Sequence, residues 1–103
     1  MKSILTKYTE NCMFCGKPTT EEHHFIFGFG VRKLADKDGV KGPVCRWCHT
    51  TGTIGQKIHD NPMAEKLSKM CGQLAWEKHA VAAGITEDEA REAFLKRYGV
   101  SYL

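Results

Sequence analysis

The pattern of apolar and polar positions changes along the chain, from short aromatic runs in the first half to helical spacing in the second. "HHFIF" (23–27) is a short aromatic and β-branched run that stops at the glycines of "GFG", and "GVKGPV" (39–44) is a second short run. Runs of this kind, bounded by turn residues, are typical of β-strands. The pattern therefore predicts two strands that pair as a hairpin.

The next periodic segment predicts a long helix. Asn61 is its expected N-cap, Pro62 occupies the first helical position, and Gly84 lies past its end. Apolar residues recur at helical spacing and are expected to face the core. They are Leu67, Met70, Cys71 and Leu74, with Trp76 or Val81 extending the same face.

A second helix is predicted over 86–99, where Thr86 and Glu89 form a capping box and Gly99 ends the helix. A chain of 103 residues is long enough for one modest core. These features predict a single small α+β domain over 1–103, with its core at 12–82 and a C-terminal helix at 86–99. No stretch resembles a signal peptide or reaches membrane-spanning length, so we expect a cytoplasmic protein without a membrane partner.

Four of the five cysteines form two C-x-x-C pairs, which are Cys12 with Cys15 and Cys45 with Cys48. In a reducing compartment such pairs indicate metal binding rather than disulfides, and two pairs can hold one tetrahedral zinc ion through four thiolates. An iron site with the same ligands remains an alternative. Cys71 lies apart and is expected to be a small core residue.

The charge distribution is more informative than the net charge. The chain has 15 basic and 12 acidic residues, for a net charge of +3, and four thiolates around one dication would lower this to about +1. Between Phe25 and Lys57, six basic residues face only Asp36 and Asp38. This excess predicts a surface for a phosphate backbone, although a solvated loop is the alternative. The six are Arg32, Lys33, Lys37, Lys41, Arg46 and Lys57.

Four of the five histidines lie where a second metal site is plausible. His23 and His24 are on the first predicted strand, His49 directly follows Cys48, and His59 precedes the long helix. A zinc site closed by four cysteines has no vacancy for imidazole, so the gathered histidines indicate a second, open metal position. Chance clustering is the competing explanation. His79, near the end of the long helix, is expected to be structural or solvated.

The order of these residues carries a resemblance to a known family. A C-x-x-C pair is followed by an acidic residue and His-His, then by C-x-x-C-H and a further histidine before a helix. This order resembles the HNH endonucleases of the ββα-metal class. The runs "HHFIFG", "VCRWCHTTG" and "FLKRYGVSYL" are similar to small zinc-containing phage and prophage proteins of that type, and the similarity covers nearly the whole chain.

The resemblance implies a ββα-metal, treble-clef-like core with an inserted β-hairpin and C-terminal helices. It makes His24 the general base and His23, His49 and His59 the ligands of a catalytic ion, which is Mg²⁺, Mn²⁺ or Zn²⁺ in addition to the structural Zn²⁺. Glu21 or Glu22 would orient a ring nitrogen. The chain departs from the family pattern in two places. Thr50 to Ile58 separate the last two histidines, and the pattern's middle asparagine has no counterpart between His24 and Cys45.

The function implied is metal-dependent hydrolysis of DNA phosphodiester bonds. An imidazole that titrates near neutral pH can accept a proton from the attacking water. Basic residues that contact the backbone do not read bases, so we expect weak sequence preference and recognition of branched or nicked DNA. The resemblance places the protein in phage recombination, replication or packaging inside a bacterial host, with phage recombination proteins as partners; RNA stays open as a substrate.

Two other classes of function remain open at this point. One is a catalytically inactive zinc module that binds nucleic acid or a recombination protein. The other is a purely structural zinc protein. The number of metal ions bound per chain distinguishes these functions, since two ions favour the enzyme and one zinc favours a binding module.

Overall fold

The computed structural model describes all 103 residues and has an α+β fold, which confirms the predicted class. A two-stranded antiparallel sheet is accompanied by three α-helices and one π-helical turn. None of the helices combines the length and the apolar character needed to cross a bilayer. In chain order the elements are β1 (Glu22–His24), α1 (Arg32–Asp38), β2 (Lys41–Pro43), the π-helical turn (Trp47–Thr51), α2 (Pro62–Ala82) and α3 (Glu87–Tyr98).

The two predicted strands pair as expected, with His23 opposite Gly42 in the register. Both strands are shorter than predicted, and β1 ends at His24. The hairpin prediction included no helix between the strands, whereas in the structure 32–38 forms α1. Its Arg, Lys, Leu and Ala residues favour helix, but seven residues are too few to show a periodic pattern in the sequence. Gly39 ends α1 in the left-handed conformation, at φ 75°.

Helix α2 begins as predicted, with the Asn61 side chain accepting a hydrogen bond from the Ala64 backbone N–H at 3.3 Å. Its buried face differs from the prediction. Leu67 and Leu74 are each 52% exposed, and Cys71 is exposed as well. The buried residues of the helix are Ser68, Gly72, Gln73 and Glu77.

The close approach of α2 to the first half of the chain explains why this face of the helix is buried. A Cβ atom at Gly72 would lie 2.7 Å from Ile26 Cγ1 and 3.0 Å from Val40 Cγ1. Only glycine fits at that point, so small and polar residues line the contact. Leu67 and Leu74 are consequently turned outward, whereas Trp76, one of the two residues expected to extend the buried face, packs against the core.

Helix α3 has the predicted capping box, and Gly99 ends it at φ 76°. Phe94 and Tyr98 stack with ring centroids 4.4 Å apart and belong to the same buried cluster as Phe25. The buried cluster therefore extends outside the predicted core at 12–82. The extent of the domain over 1–103 stays a prediction.

The carboxylate of Asp38, at the end of α1, joins all three helices. It accepts hydrogen bonds from Trp76 Nε1 at 3.0 Å, from Arg97 at 2.7 Å and from the Tyr98 hydroxyl at 2.8 Å. Trp76 belongs to α2, and the other two residues belong to α3. We refer to these four side chains as the Asp38 clasp. It fixes α1 against the two C-terminal helices.

Candidate metal centres

The four paired cysteines come together from two separate turns. Cys12 and Cys15 lie in a small hairpin that is closed by the bridge between Asn11 and Pro18. The second pair follows β2 and enters the π-helical turn. The Met13 N–H donates to the Pro43 carbonyl oxygen at 2.9 Å, which holds the first turn against β2.

The geometry of this cluster suits a tetrahedral ion. The four sulfur atoms all lie within 4.8 Å of one another, and Cys15 Sγ is 3.6 Å from Cys45 Sγ. Two thiolates on a tetrahedral zinc ion, each about 2.3 Å from the metal, lie about 3.8 Å apart. A disulfide would require about 2.05 Å, so these cysteines are free thiols. The four cysteines can therefore bind one zinc ion, as predicted.

The electrostatics of the cluster also favour a cation. Burial alone would raise the pKa of the Cys12 thiol, but backbone N–H groups of Cys45, Cys15 and Phe14 that face its sulfur lower the pKa to about 6. Burial and the neighbouring sulfurs raise the pKa of Cys48. Without a cation, the cluster thus stabilises one thiolate and disfavours further ionisation. A divalent ion would relieve that repulsion.

A second cluster contains three of the predicted histidines. His23 comes from β1, His49 from the π-helical turn, and His59 from the segment before α2. One ring nitrogen of each lies within 4.8 Å of the others, and Nε2 of His49 is 3.0 Å from Nε2 of His59. Two nitrogens on one tetrahedral zinc ion lie about 3.3 Å apart. We call these three side chains the histidine cluster, and their arrangement fits a single divalent ion.

Backbone pairing explains how His59 reaches His49 across the intervening residues. The Ile58 N–H donates to the Cys48 carbonyl at 2.9 Å, and the His59 N–H donates to the His49 carbonyl at 3.1 Å. These bonds place 58–59 alongside 48–49. Cys48 and His49 are adjacent in the π-helical turn, yet the first belongs to the cysteine cluster and the second to the histidine cluster.

Hydrogen bonds decide which nitrogen two of these histidines can offer. The Ser68 hydroxyl donates to the Phe25 carbonyl at 3.0 Å, so it can only accept from His23 Nε2, which lies 2.7 Å away. His23 then carries its proton on Nε2 and presents the Nδ1 lone pair. The carboxylate of Glu65 accepts from His59 Nδ1 at 3.0 Å, which leaves the lone pair of His59 on Nε2, the atom that faces His49.

Burial keeps the imidazole of His23 neutral. The ring is 1% exposed, and burial together with the nearby charges of His49, His59 and His24 lowers the pKa of His23 to about 3. Burial and His59 also lower the pKa of His49. Metal ions bind neutral imidazole, so the surroundings prepare these side chains for a metal.

His24 does not belong to the histidine cluster. As the next residue on β1 its side chain leaves the opposite face of the strand, and its Nε2 lies 2.9 Å from Asp36 Oδ1. That hydrogen bond and one from Lys41 lower the pKa of Asp36 to about 2. His24 is nevertheless close enough that its charge lowers the pKa of both His23 and His49.

The sequence did not reveal the residues that orient the histidines. Glu21 and Glu22, the expected candidates, instead approach Arg46 at 3.5 Å and Lys41 at 4.0 Å. The structure assigns orientation to three other residues, which are Asp36, Glu65 and Ser68. They come from α1 and α2, and no local motif connects them to the histidines they contact.

The six basic residues fall into two groups. Lys41 and Lys57 have side chains only 14% and 12% exposed, and internal partners hold them: Asp36 for the first, Thr50 and Asp60 for the second. Arg46 is exposed and near Glu21. The three that are exposed and free of ion pairs all lie on α1: Arg32, Lys33 and Lys37.

Comparison of the chain with protein-family models, with curated proteins and with solved structures found no match. The site itself is therefore the basis for a functional assignment. Its cysteine cluster supplies four ligands and fits a closed structural ion, whereas the histidine cluster supplies three. His49 and His59 are partly exposed, so the histidine cluster is accessible from solvent.

Proposed function

We propose that the protein is a metal-dependent endonuclease of the HNH type that hydrolyses DNA phosphodiester bonds. The observation that carries this proposal is the convergence of His23, His49 and His59 on one point. Three protein ligands with open remaining positions are typical of catalytic metal sites, whereas four cysteines are typical of structural zinc. The cysteine cluster would then hold His49 in place through Cys48.

Different residues of the chain would bind the ion, orient its ligands and accept the proton. His23, His49 and His59 would hold the ion, with Ser68 and Glu65 fixing two of the rings. The ion, Mg²⁺, Mn²⁺ or Zn²⁺, would stabilise charge on the scissile phosphate and on the leaving 3′ oxygen. His24 would accept the proton of the attacking water at Nδ1, because Asp36 holds the proton on Nε2.

The exposed side chains of Arg32, Lys33 and Lys37 support a nucleic-acid substrate. Such residues contact phosphates rather than base edges, so the proposal includes weak sequence preference and does not exclude RNA. The ββα-metal, treble-clef-like description and a role in phage recombination, replication or packaging belong to the same proposal. They are supported by the order of the motifs around β1, β2 and α2.

A second candidate is a catalytically inactive zinc module that binds nucleic acid or a recombination protein. The observation that favours it is the position of His24, which bonds to Asp36 and stands outside the histidine cluster. In that case the cluster would be a structural feature. The two candidates differ in metal content and in cleavage.

Single-turnover cleavage of plasmid and branched DNA over a metal series tests the proposal. His24→Ala should keep both metals and DNA affinity but lose about 10²- to 10⁴-fold in cleavage rate, because the base is gone. His49→Ala removes a ligand instead, so its activity should partly return with excess Mn²⁺ or Mg²⁺. His79→Ala is the matched control, since His79 is exposed on α2, and it should cut at the unaltered rate.

Cleavage by His24→Ala at the unaltered rate would remove the enzymatic role from that residue. One zinc per chain and no cleavage under any metal would select the binding module. Metal content by mass spectrometry of the native protein provides this second measurement.

A further inference from the structure

Phe29 is the most exposed aromatic side chain of the protein, at 108% of the reference area for phenylalanine. Its neighbours in the same run behave differently. Phe25 and Ile26 are buried in the core, and the Phe27 ring packs against the ring of His59 with centroids 4.9 Å apart. The core therefore takes up Phe25 and Ile26, the histidine cluster covers part of Phe27, and only the ring of Phe29 lies wholly in solvent.

Two glycines hold this ring outward. Gly28 and Gly30 flank Phe29 with φ values of +121° and +82°, which other residues rarely adopt. A Cβ atom at Gly30 would meet nothing within 4 Å, and one at Gly28 would meet only Val31 at 3.8 Å. The glycines are thus needed for the shape of the turn and not for packing. That turn gives Phe29 its exposed position.

The turn lies between the histidine cluster and the basic helix. Phe27, which contacts His59 and His23, is two residues before Phe29, and two residues of extended chain span at most about 7 Å. On the other side, α1 begins at Arg32, with Arg32 and Lys33 exposed. Phe29 therefore lies, along the chain, between the two features that a bound nucleic acid would have to reach.

Aromatic side chains on nucleic-acid surfaces stack on bases that are not stacked on one another. In an intact duplex the faces of the bases are covered, so a phenylalanine ring can reach one only at an unpaired position or a kink. We propose that Phe29 stacks on an unpaired base beside the phosphate bound near the histidine cluster. The preferred substrate is then DNA with an unpaired base, as at a bulge, gap or junction. This inference rests on the proposed function.

Charge argues against a second copy of the chain as the partner of Phe29. A symmetric contact through this turn would bring Arg32 and Lys33 of both copies together, while the exposed carboxylate of α1, Asp36, is already paired with His24 and Lys41. Phosphates, by contrast, complement these cations. The ring and the two basic residues together therefore fit DNA.

The test compares the binding of two labelled DNA duplexes by fluorescence anisotropy, without added divalent ion. One duplex is fully paired, and the other contains a single unpaired base. Phe29→Ala should raise Kd for the second duplex by roughly 5- to 100-fold, and for the paired duplex by less than about twofold. Phe29→Trp should restore the selectivity. Tyr8→Ala, which removes another aromatic that is 73% exposed, is the control and should change neither Kd.

Equal loss of affinity for both duplexes, or no loss for either, would overturn the stacking role. So would a dimer that dissociates in Phe29→Ala while both DNA affinities stay the same. A cleavage assay separates this inference from the proposed function. If the protein prefers the duplex with the unpaired base but cleaves neither duplex, only the proposed nuclease activity is contradicted. If both duplexes are cleaved equally, with or without Phe29, only the stacking role of Phe29 is contradicted. If the unaltered protein binds neither duplex, both fail.

Discussion

Single hydrogen bonds decide what each histidine can do. His23 and His24 are adjacent, yet Ser68 holds the first inside the cluster and Asp36 holds the second outside it. The strand alternation separates the two rings, and the partner of each ring selects the nitrogen that keeps a lone pair. Chemically identical side chains thus acquire different roles from their surroundings.

Substitution of Ser68 tests whether its hydrogen bond with His23 orients that ring for metal binding. Ser68→Ala removes the acceptor for His23 Nε2 and leaves that buried N–H without a partner, so Mn²⁺ affinity at the histidine cluster should fall about 10- to 100-fold. The zinc content of the cysteine cluster should not change. Calorimetric titration with Mn²⁺ measures the first quantity, and mass spectrometry of the native protein measures the second.

Ser101→Ala is the matched control. It also removes a hydroxyl from a hydrogen bond, in this case one with Gln73 away from the histidines, and it should leave Mn²⁺ affinity unchanged. Equal Mn²⁺ affinity of Ser68→Ala and the unaltered protein would show that Ser68 does not orient His23.

At the scale of elements, each helix has a separate task. The N-terminal half of α2 carries Glu65 and Ser68 to the histidines, and Gly72 allows the helix to approach Ile26. Helix α1 presents three free basic residues and is held by the Asp38 clasp. The sheet is short, and its main contribution is to set His23 and His24 on opposite sides.

The charge of α1 can be reversed without touching the core. Arg32→Glu with Lys33→Glu should weaken DNA binding about equally for unrelated sequences and reduce its salt dependence, because fewer counterions are released. Anisotropy titrations over a salt series give both quantities. Reversing Lys78 and Lys96, which are exposed on α2 and α3, provides a control of equal charge change. If the control weakens binding as much as the α1 variant, the binding face is not on α1.

The parts of the fold that could be predicted are those with local causes. The caps at Asn61, Thr86 and Gly99 depend on neighbouring residues, and each was predicted correctly. The cysteine pairs are similarly local. The buried face of α2 was predicted wrongly because a close backbone contact at Gly72 overrides hydrophobic periodicity. Ser68 was missed because 45 residues separate it from His23, and only the folded chain brings them together.

At the scale of the whole molecule, two clusters of candidate metal ligands bring together residues from the N-terminal hairpin, from β1 and from the chain between β2 and α2. The buried apolar side chains are few for a chain of this length, so a zinc ion at the cysteine cluster would supply much of the folding free energy. The π-helical turn links the clusters because Cys48 and His49 are adjacent. Loss of the first ion should therefore disturb the second site as well.

Cys45→Ser tests this dependence. Removal of one thiolate should abolish zinc binding and cooperative unfolding, because the ion substitutes for a large core. Circular dichroism melts and zinc content measure the result. Cys71→Ser is the control, since Cys71 is exposed and outside both clusters, and it should melt like the unaltered protein. A Cys45→Ser protein that keeps a zinc equivalent and a cooperative melt would disprove the assignment.

The Asp38 clasp also gives the protein an order of assembly during synthesis. A nascent chain leaves the ribosome N-terminus first, so every residue of both clusters emerges before α2, and Arg97 and Tyr98 emerge after it. Before that moment Asp38 lacks two of its three partners, and within the clasp only the hydrogen bond from Trp76 can form. The residues of both clusters are thus available to a metal while the clasp at the end of the basic helix is still incomplete. Translation past Tyr98 is needed before the Asp38 clasp can close.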